Sequence, residues 1–187
     1  MKTTETTLKI NFVKGDLESE QLSTYYKTVK ETAAFYAAKT EALASEEMAY
    51  YVTSDAHSGP EENVEALNWG ITCMYPITVA GECCMTRGHF HSDREYPEYY
   101  LCLTGEGYLL CWDGVNEAFA FHMTPGSLQY IDGRWAHRLI NTGEVMFKVA
   151  ACWASKAGND HETIEQSGFP VRCYKKDGTI EWIKCND

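Results

Sequence analysis

The chain has 187 residues, of which 44% are hydrophobic and 13% aromatic, so it is long enough to bury a core and too apolar to be disordered. Its formal net charge is -11, and no basic stripe offsets this acidity, so we expect no nucleic-acid partner. The sequence contains neither an apolar run of about 18 residues nor the apolar core of a signal peptide. We therefore expect no membrane span and no signal peptide.

The first quarter of the chain is predicted to be an arm with helices. Residues 8–13 alternate apolar and polar side chains, which is typical of a strand. Residues 16–47 are rich in Ala, Glu, Lys and Tyr with near-helical apolar spacing, which predicts one or two short helices. We expect one domain, 1–187, in which the arm and helices (1–48) pack on a barrel with a C-terminal hairpin (49–187).

Beyond residue 67, short apolar runs alternate with turn residues, as in an all-β barrel or sandwich. The predicted strands are residues 68–75, 82–90, 97–104, 107–113, 117–123, 127–131, 137–142 and 145–153. Near the end of the chain, Lys176-Asp177-Gly178-Thr179 separates two further apolar runs, which predicts a hairpin.

The eight cysteines favour a reducing compartment. They lie mostly inside the apolar, strand-like runs, and none forms a Cys-x-x-Cys pair. Buried, reduced thiols of this kind are typical of cytoplasmic proteins, whereas a small secreted domain would use its cysteines as a disulfide framework. We therefore predict a cytoplasmic protein with free thiols.

The most informative pattern is a histidine pair followed by a carboxylate and a late histidine. His89 and His91 share one face of an extended segment, because strand side chains alternate between two faces. Glu98 follows after a polar bend, and His137 comes much later. Three imidazoles and one carboxylate inside an antiparallel barrel make a mixed nitrogen–oxygen site for a divalent metal, with positions left for water or substrate.

These segments resemble the two motifs of the cupin superfamily. The first motif is matched by Gly88-His89-Phe90-His91, Glu98 and Gly105, and the second by Gly126, His137 and Asn141, with Asp132 where proline is usual. The resemblance implies a double-stranded β-helix, which is a jelly-roll-like barrel. It also implies four metal ligands, namely His89, His91, Glu98 and His137.

Within the superfamily, the chain most resembles the cupin-type glucose-6-phosphate isomerases of archaea and some bacteria, over roughly residues 48 to 183. The resemblance is carried by the blocks Leu67-Asn68-Trp69-Gly70-Ile71-Thr72, Met85-Thr86-Arg87-Gly88-His89-Phe90-His91, Thr124-Pro125-Gly126-Ser127 and Arg134-Trp135-Ala136-His137-Arg138. It implies substrate contacts from Thr72, Thr86 and Gly88 to the phosphate, from Tyr100, and from Tyr50 or, with a slip of one residue, Tyr51.

The chemistry of aldose–ketose isomerisation fits these residues. Moving hydrogen between C1 and C2 needs a Lewis acid, a base of moderate pKa and a clamp on the phosphate. Glu98 is the predicted base, Tyr100 is the second catalytic residue, and Arg87 supplements the phosphate clamp. We expect one divalent ion, Fe2+ first, with Mn2+, Ni2+ and Zn2+ as alternatives. The route of the hydrogen, as a proton through an enediol or as a hydride, stays open, and the resemblance implies a homodimer.

Two other functions stay open. A cupin dioxygenase or oxidase would use the same ligands, although the Thr-x-Gly block at residues 86–88 favours a phosphate ligand. A non-catalytic sugar-phosphate-binding protein is the second alternative, because this chain departs from the family at the sugar end of the pocket with Trp153, Asn159 and His161. His57 and His122 lie outside the motifs, and we expect no functional role for either.

Overall fold

The computed structural model describes residues 1–55 and 66–185. Most of its regular structure is β-strand. The strands are β1 Lys9–Asn11, β2 Asp16–Glu18, β3 Leu22–Thr28, β4 Met48–Asp55, β5 Leu67–Met74, β6 Thr78–Val79, β7 Glu82–Cys83, β8 Glu98–Thr104, β9 Gly107–Trp112, β10 Phe119–Met123, β11 Leu128–Ile131, β12 Ala136–Asn141, β13 Phe147–Ala154, β14 Val171–Lys176 and β15 Thr179–Lys184. The helices are the 3-10 turns Lys30–Phe35, Glu41–Ala44 and Ser155–Ala157 and the α-helix α1, His161–Ser167.

Two antiparallel sheets form the body of the molecule. The larger has the strand order β11-β8-β13-β5-β4-β3, and the smaller has the order β10-β9-β12. Their facing side chains form the main core, with Val149 and Cys102 from the larger sheet and Leu109 and Ile140 from the smaller. The predicted all-β barrel is therefore confirmed, and so is the C-terminal hairpin of β14 and β15.

The close approach of strands inside the barrel explains one glycine of the sequence. Gly107 begins β9 opposite Asn141 of β12. A Cβ atom at Gly107 would lie 2.3 Å from the carbonyl oxygen of Ile140 and 2.7 Å from the Phe147 ring. Only a residue without a side chain allows β9 and β12 to pair here above the core phenylalanine.

The prediction of one or two short helices within residues 16–47 is met by the 3-10 turns Lys30–Phe35 and Glu41–Ala44, but the first part of the segment is not helical. This segment begins with two strands, β2 and β3, and only its second half contains short 3-10 turns. β3 pairs with β4 and becomes the edge of the larger sheet, with Tyr25 opposite Val52. Backbone pairing with an existing sheet edge outweighs the weak helix propensity of an Ala- and Glu-rich sequence.

Strand β2 of the N-terminal arm packs on the outside of the larger sheet. Leu17 of β2 belongs to a second, smaller core cluster with Ile71 and Leu103, on the face of the larger sheet that turns away from the main core. No helix within the described ranges is long and apolar enough to cross a membrane.

The prediction of one strand over residues 82–90 is wrong in its middle. β7 ends at Cys83, and the chain up to residue 90 then makes only single bridges, from Met85 to Ile140, from His89 to His137 and from Phe90 to Asp160. Gly88 interrupts the extended segment because its φ is 78°, in the left-handed region. This break turns the histidine segment toward the interior of the barrel.

Candidate active site

The three histidines of the predicted metal site are brought together by strand pairing. His89 and His137 are direct antiparallel partners, and each backbone N–H donates to the other's carbonyl oxygen at 3.2 and 3.0 Å. Their ring centroids are 4.4 Å apart. His91 lies two residues beyond His89 on the same face, with its ring 5.7 Å from that of His89. The predicted same-face arrangement is thus what the structure contains.

Glu98 completes a cluster with the three histidines, which we call the histidine–glutamate cluster (His89, His91, Glu98 and His137). It is the first residue of β8, and its Oε1 lies 3.1 Å from Nε2 of His91 and 2.6 Å from Nε2 of His137. One ligand atom from each of the four residues lies within 4.8 Å of all the others. His91, Glu98 and His137 are each at most 5% exposed.

Hydrogen bonds behind the imidazoles fix which nitrogen faces the cluster. Nδ1 of His91 is 2.6 Å from the carbonyl oxygen of Tyr96, and Nδ1 of His137 is 3.3 Å from that of Trp135. A carbonyl oxygen only accepts, so Nδ1 carries the proton in both rings and a neutral ring turns the Nε2 lone pair to Glu98. Backbone carbonyls commonly orient metal-binding histidines in this way.

The cluster needs a positive charge at its centre. Nε2 of His137 has no hydrogen-bond partner among the described residues, although Glu98 is so close. Two lone pairs facing each other at 2.6 Å repel unless a cation or a proton lies between them. The orphaned nitrogen, the buried carboxylate and the nitrogen–oxygen donor set all fit a divalent metal ion.

The electrostatics keep His89 and Glu98 in their metal-binding protonation states. Burial, together with the imidazole of His137, lowers the pKa of His89 well below its usual range, so this ring is neutral. Burial opposes ionisation of Glu98, but His137 and His91 outweigh it and lower the pKa of the carboxyl far below its usual range. Burial likewise opposes protonation of His91, yet Glu98 raises its pKa, which again shows the demand for a cation beside the carboxylate.

A pocket of about 240 Å³ opens beside the histidine–glutamate cluster, and we call it the cluster pocket. Its lining includes all the predicted substrate residues, namely Tyr50, Thr72, Thr86, Gly88 and Tyr100. The alternative Tyr51 lies on the opposite face of β4 and packs against the outer core cluster. The structure therefore brings Tyr50, and not Tyr51, to the pocket.

The wall of the pocket at Gly88 depends on glycine for a second reason. A Cβ atom there would lie 2.8 Å from the ring of Phe169 and 3.1 Å from Nε of Arg138. On the pocket side, the Gly88 carbonyl oxygen accepts a hydrogen bond from Nδ1 of His161 at 2.8 Å. Beside it, Oγ1 of Thr86 accepts from the backbone N–H of Leu139 at 3.0 Å, which leaves the hydroxyl proton for a ligand.

The three residues at which the sequence departs from its family all line the cluster pocket: Trp153, Asn159 and His161. Trp153 lies opposite Glu98 in the β13–β8 ladder. His161 is the first residue of α1, and its ring centroid is 5.2 Å from that of His89.

Sequence reasoning missed Tyr25 and the helical state of the segment that carries His161. Tyr25 lines it from β3, which was predicted to be helical, so no signal in the sequence pointed to it. Helix α1 could have been found, because Asp160 caps its first turn by accepting from the Thr163 N–H and Gly168 follows its last residue. Of the histidines outside the motifs, His122 is on β10 against Tyr108, away from the cluster, and His57 lies outside the described residues.

With this geometry in place, the comparison with known families is direct. A sequence model of the family described as Glucose-6-phosphate isomerase (GPI) matches residues 22–187. The chain belongs to the glucose-6-phosphate isomerase family. This confirms the resemblance drawn from the sequence blocks around the histidines.

Curated relatives carry the same family name. The chain is 36% identical over 123 residues to a glucose-6-phosphate isomerase of Pyrococcus horikoshii, covering 66% of this chain and 65% of that protein. It is 38% identical over 120 residues to the Thermococcus litoralis enzyme, covering 64% and 63%. A putative glucose-6-phosphate isomerase of Rhizobium meliloti is 27% identical over 168 residues, covering 88% and 78%. The chain thus spans slightly less than two thirds of the first two relatives.

Among solved structures, an oxalate oxidase in complex with the substrate analogue glycolate is similar to this chain with a TM-score of 0.49 and 16% identity, over 62% of this chain and 56% of that one.

Proposed function

We propose that this protein is a metal-dependent isomerase that interconverts glucose 6-phosphate and fructose 6-phosphate. One observation carries the proposal: a single pocket joins the histidine–glutamate cluster to the Thr72, Thr86 and Gly88 wall. A metal centre suits the carbonyl end of a sugar phosphate, and a wall of hydroxyl and backbone groups suits its phosphate end. Membership of the glucose-6-phosphate isomerase family supports the same substrate pair.

His89, His91, Glu98 and His137 would hold one divalent ion, which supplies Lewis-acid polarisation of the sugar oxygens when it is bound. We expect Fe2+ first, with Mn2+, Ni2+ and Zn2+ as alternatives, because imidazole and carboxylate ligands accept all of them. The other tasks fall to the protein's own side chains.

Glu98 is the proposed base. Its Oε1 lies beside Nε2 of His91 and of His137, and no residue in the described parts of the chain hydrogen-bonds Oε2. In the enediol route, Glu98 removes the proton from C2 of the aldose and returns it to C1, so no net proton is gained or lost. A hydride shift from C2 to C1 needs no such base, and the two routes are separated below.

Tyr100 is proposed to assist as a hydrogen-bond donor. Burial and the nearby charge of Glu98 hold the pKa of its phenol well above the usual range, so the hydroxyl keeps its proton at neutral pH. Its ring stands edge-on to His137 at 5.6 Å, next to the cluster. A protonated phenol at this position can donate to a sugar oxygen while the reaction moves hydrogen between carbons.

Thr72, Thr86 and Gly88 are proposed to hold the phosphate, with Arg87 at the rim. The Thr86 hydroxyl is oriented by the hydrogen bond that it accepts from the Leu139 N–H. The Arg87 guanidinium is tied to Glu165 of α1, so its charge is placed and partly neutralised before substrate arrives. Tyr50 lines the same pocket from β4 and is proposed as a further substrate contact.

We further propose a cytoplasmic homodimer. All eight cysteines are free thiols, which is the state kept in a reducing compartment. The dimer is what the family resemblance implies for the N-terminal strand, and Phe12 and Val13 next to β1 are strongly exposed apolar residues that a second copy would cover.

A coupled assay tests the proposal. Fructose 6-phosphate is the substrate, NADP-linked oxidation of glucose 6-phosphate is the readout, and the assay is repeated after chelation and after return of a metal. We expect activity that is lost on chelation and restored by metal. Binding of sugar phosphate without turnover in metal-loaded protein would favour the non-catalytic alternative, which Asn159 and His161 in the pocket keep open. Metal-dependent oxygen consumption without isomerisation would favour the oxidase alternative.

A further inference from the structure

A second cavity, also of about 240 Å³, adjoins the segment that walls the cluster pocket. Arg87 lines both cavities, and a Cβ on Gly88 would point away from the cluster pocket at Phe169 and Arg138, which line the second one. The charged residues of its lining are Arg87, Arg138, Arg172 and Glu165, so we call it the arginine cavity. Three guanidinium groups and one carboxylate are an unusual local charge for a chain with a net charge of -11.

Arg138 is buried in this cavity without a counter-ion. It is 8% exposed, and no carboxylate among the described residues pairs with it. Its Nη2 donates a hydrogen bond to the Arg87 carbonyl oxygen at 2.6 Å. Its Nη1 donates only to the sulfur of Met85, which is a weak acceptor, and its Nε has no hydrogen-bond partner in the described part of the chain. A buried cation with unmet donors is costly, so a native structure usually supplies it with an anion.

The carboxylates of this region form their ion pairs with the neighbouring arginines, and Glu82 acts on Arg138 only as a nearby charge. Arg172 is occupied by Glu82 at 2.8 Å and by the Phe35 carbonyl oxygen at 3.0 Å. Arg87 is occupied by Glu165. Burial, with some repulsion from Arg172, lowers the pKa of Arg138 to about 10, so the guanidinium remains charged at neutral pH. The unbalanced positive charge of the cavity is therefore that of Arg138.

We propose that the arginine cavity is a second binding site, separate from the cluster pocket, for a small phosphate-bearing anion. A guanidinium presents its donors as a planar fork that matches two phosphate oxygens, and Arg138 supplies the charge that no carboxylate of the cavity lining neutralises. The ring of Phe169, 4.3 Å from the Arg138 guanidinium, holds that fork in place by stacking. The cavity volume leaves room for a phosphate ester as well as for free phosphate.

The test is calorimetric titration of the full chain with inorganic phosphate, and in a second arm with glycerol 3-phosphate, at constant ionic strength. Thr86→Val serves as the background, because it weakens the proposed phosphate contact of the cluster pocket. We expect this variant to keep one phosphate site, and we expect Arg138→Met in the same background to weaken that site about ten-fold or more. Tighter binding of the ester than of free phosphate would identify a phosphorylated metabolite as the source, and the reverse order would identify phosphate itself. No phosphate binding to Thr86→Val, or equal affinity with and without Arg138, would overturn the proposal.

A second variant keeps the test valid if Arg138→Met does not fold. Glu165 is half-exposed and is the one carboxylate among the lining residues, so Glu165→Gln removes repulsion and frees Arg87. We expect it to tighten phosphate binding about three-fold or more in the Thr86→Val background. Glu162→Gln on the same helix, outside the cavity lining, is the matched control and should leave the affinity unchanged. Unchanged or weaker binding in Glu165→Gln would count against the site.

Discussion

The histidine–glutamate cluster and the rim of the cluster pocket lie side by side but are built in different ways. Two of the cluster residues, His89 and His137, face each other across one antiparallel bridge, and Glu98 begins a strand of the neighbouring sheet. The rim instead collects Tyr25 from the N-terminal edge strand and His161 from α1. Strand register therefore determines the metal ligands, whereas Tyr25 and His161 reach the pocket only because distant segments meet there. Mutations should separate the two regions.

The largest effect should come from breaking the cluster. His137→Ala removes one of three imidazoles from a buried site, and we expect metal content to fall to background and isomerase turnover to be abolished. Elemental analysis and the coupled assay check this. His122→Ala, which changes an exposed histidine outside the cluster, is the control and should keep both. Full metal content in His137→Ala would mean that the ligand set is wrong.

The next largest effect should come from a substitution that separates the two proposed roles of Glu98, metal ligand and general base. Glu98→Gln keeps a possible oxygen ligand and nearly the same volume but removes the basicity. We expect it to retain part of the metal and to bind sugar phosphate, yet to lose about 10²–10⁴ in turnover, the usual contribution of a general base. Loss of deuterium from C2-labelled substrate to water in the parent enzyme would support the enediol route. Near-parental turnover of metal-loaded Glu98→Gln would show that Glu98 is only a ligand.

A smaller effect is expected from Thr86, in the wall of the cluster pocket. Thr86→Val leaves the Leu139 N–H and the substrate phosphate without a hydroxyl partner. We expect sugar-phosphate affinity to fall by about 1–3 kcal/mol while metal content stays intact. Titration with 6-phosphogluconate measures the change, and Thr179→Val on the exposed hairpin is the control. Equal affinities of Thr86→Val and the parent would remove Thr86 from the phosphate site.

A still smaller effect is expected from His161, which donates a hydrogen bond to the Gly88 carbonyl oxygen. His161→Phe keeps an aromatic ring and loses one hydrogen bond, so we expect KM for fructose 6-phosphate to rise about 2- to 10-fold with unchanged metal content. His161→Asn can replace the Nδ1 donor with an amide and should lie between this variant and the parent. A loss of metal in His161→Phe would show that the rim and the cluster are not separable.

The smallest effect concerns the turn before β12, where Asp132 binds Nε of Arg134 at 2.8 Å. This hydrogen bond and the Arg134 charge lower the pKa of Asp132 to about 2. Because the folded-state pKa is depressed, the stabilisation is present above the unfolded value of about 3.9 and is lost as the pH falls toward 2. We expect Asp132→Asn to lower the free energy of unfolding by about 0.5–1 kcal/mol at pH 7. Urea unfolding should show this difference shrinking at pH 3; a constant difference would exclude the ion pair as its cause.

The contrast between the two regions also explains what the sequence could predict. The side-chain alternation of strands and the spacing of His89, His91 and Glu98 predict the metal cluster, because local geometry alone puts His89 and His91 on one face. The barrel strands followed from turn residues and apolar alternation in the same way. Tyr25 could not be found, because its segment has helix-like composition and becomes a strand only by pairing with β4. The unpaired charge of Arg138 likewise appears only once its surroundings are known.

The central claim is that one divalent ion in the histidine–glutamate cluster makes this chain an isomerase. The most direct measurement is to strip the metal with a chelator, titrate Fe2+ back, and follow fructose 6-phosphate isomerisation against metal equivalents per chain. We predict no activity in the stripped protein and a linear rise that ends at one equivalent. Full activity in protein shown by elemental analysis to be metal-free would contradict the account.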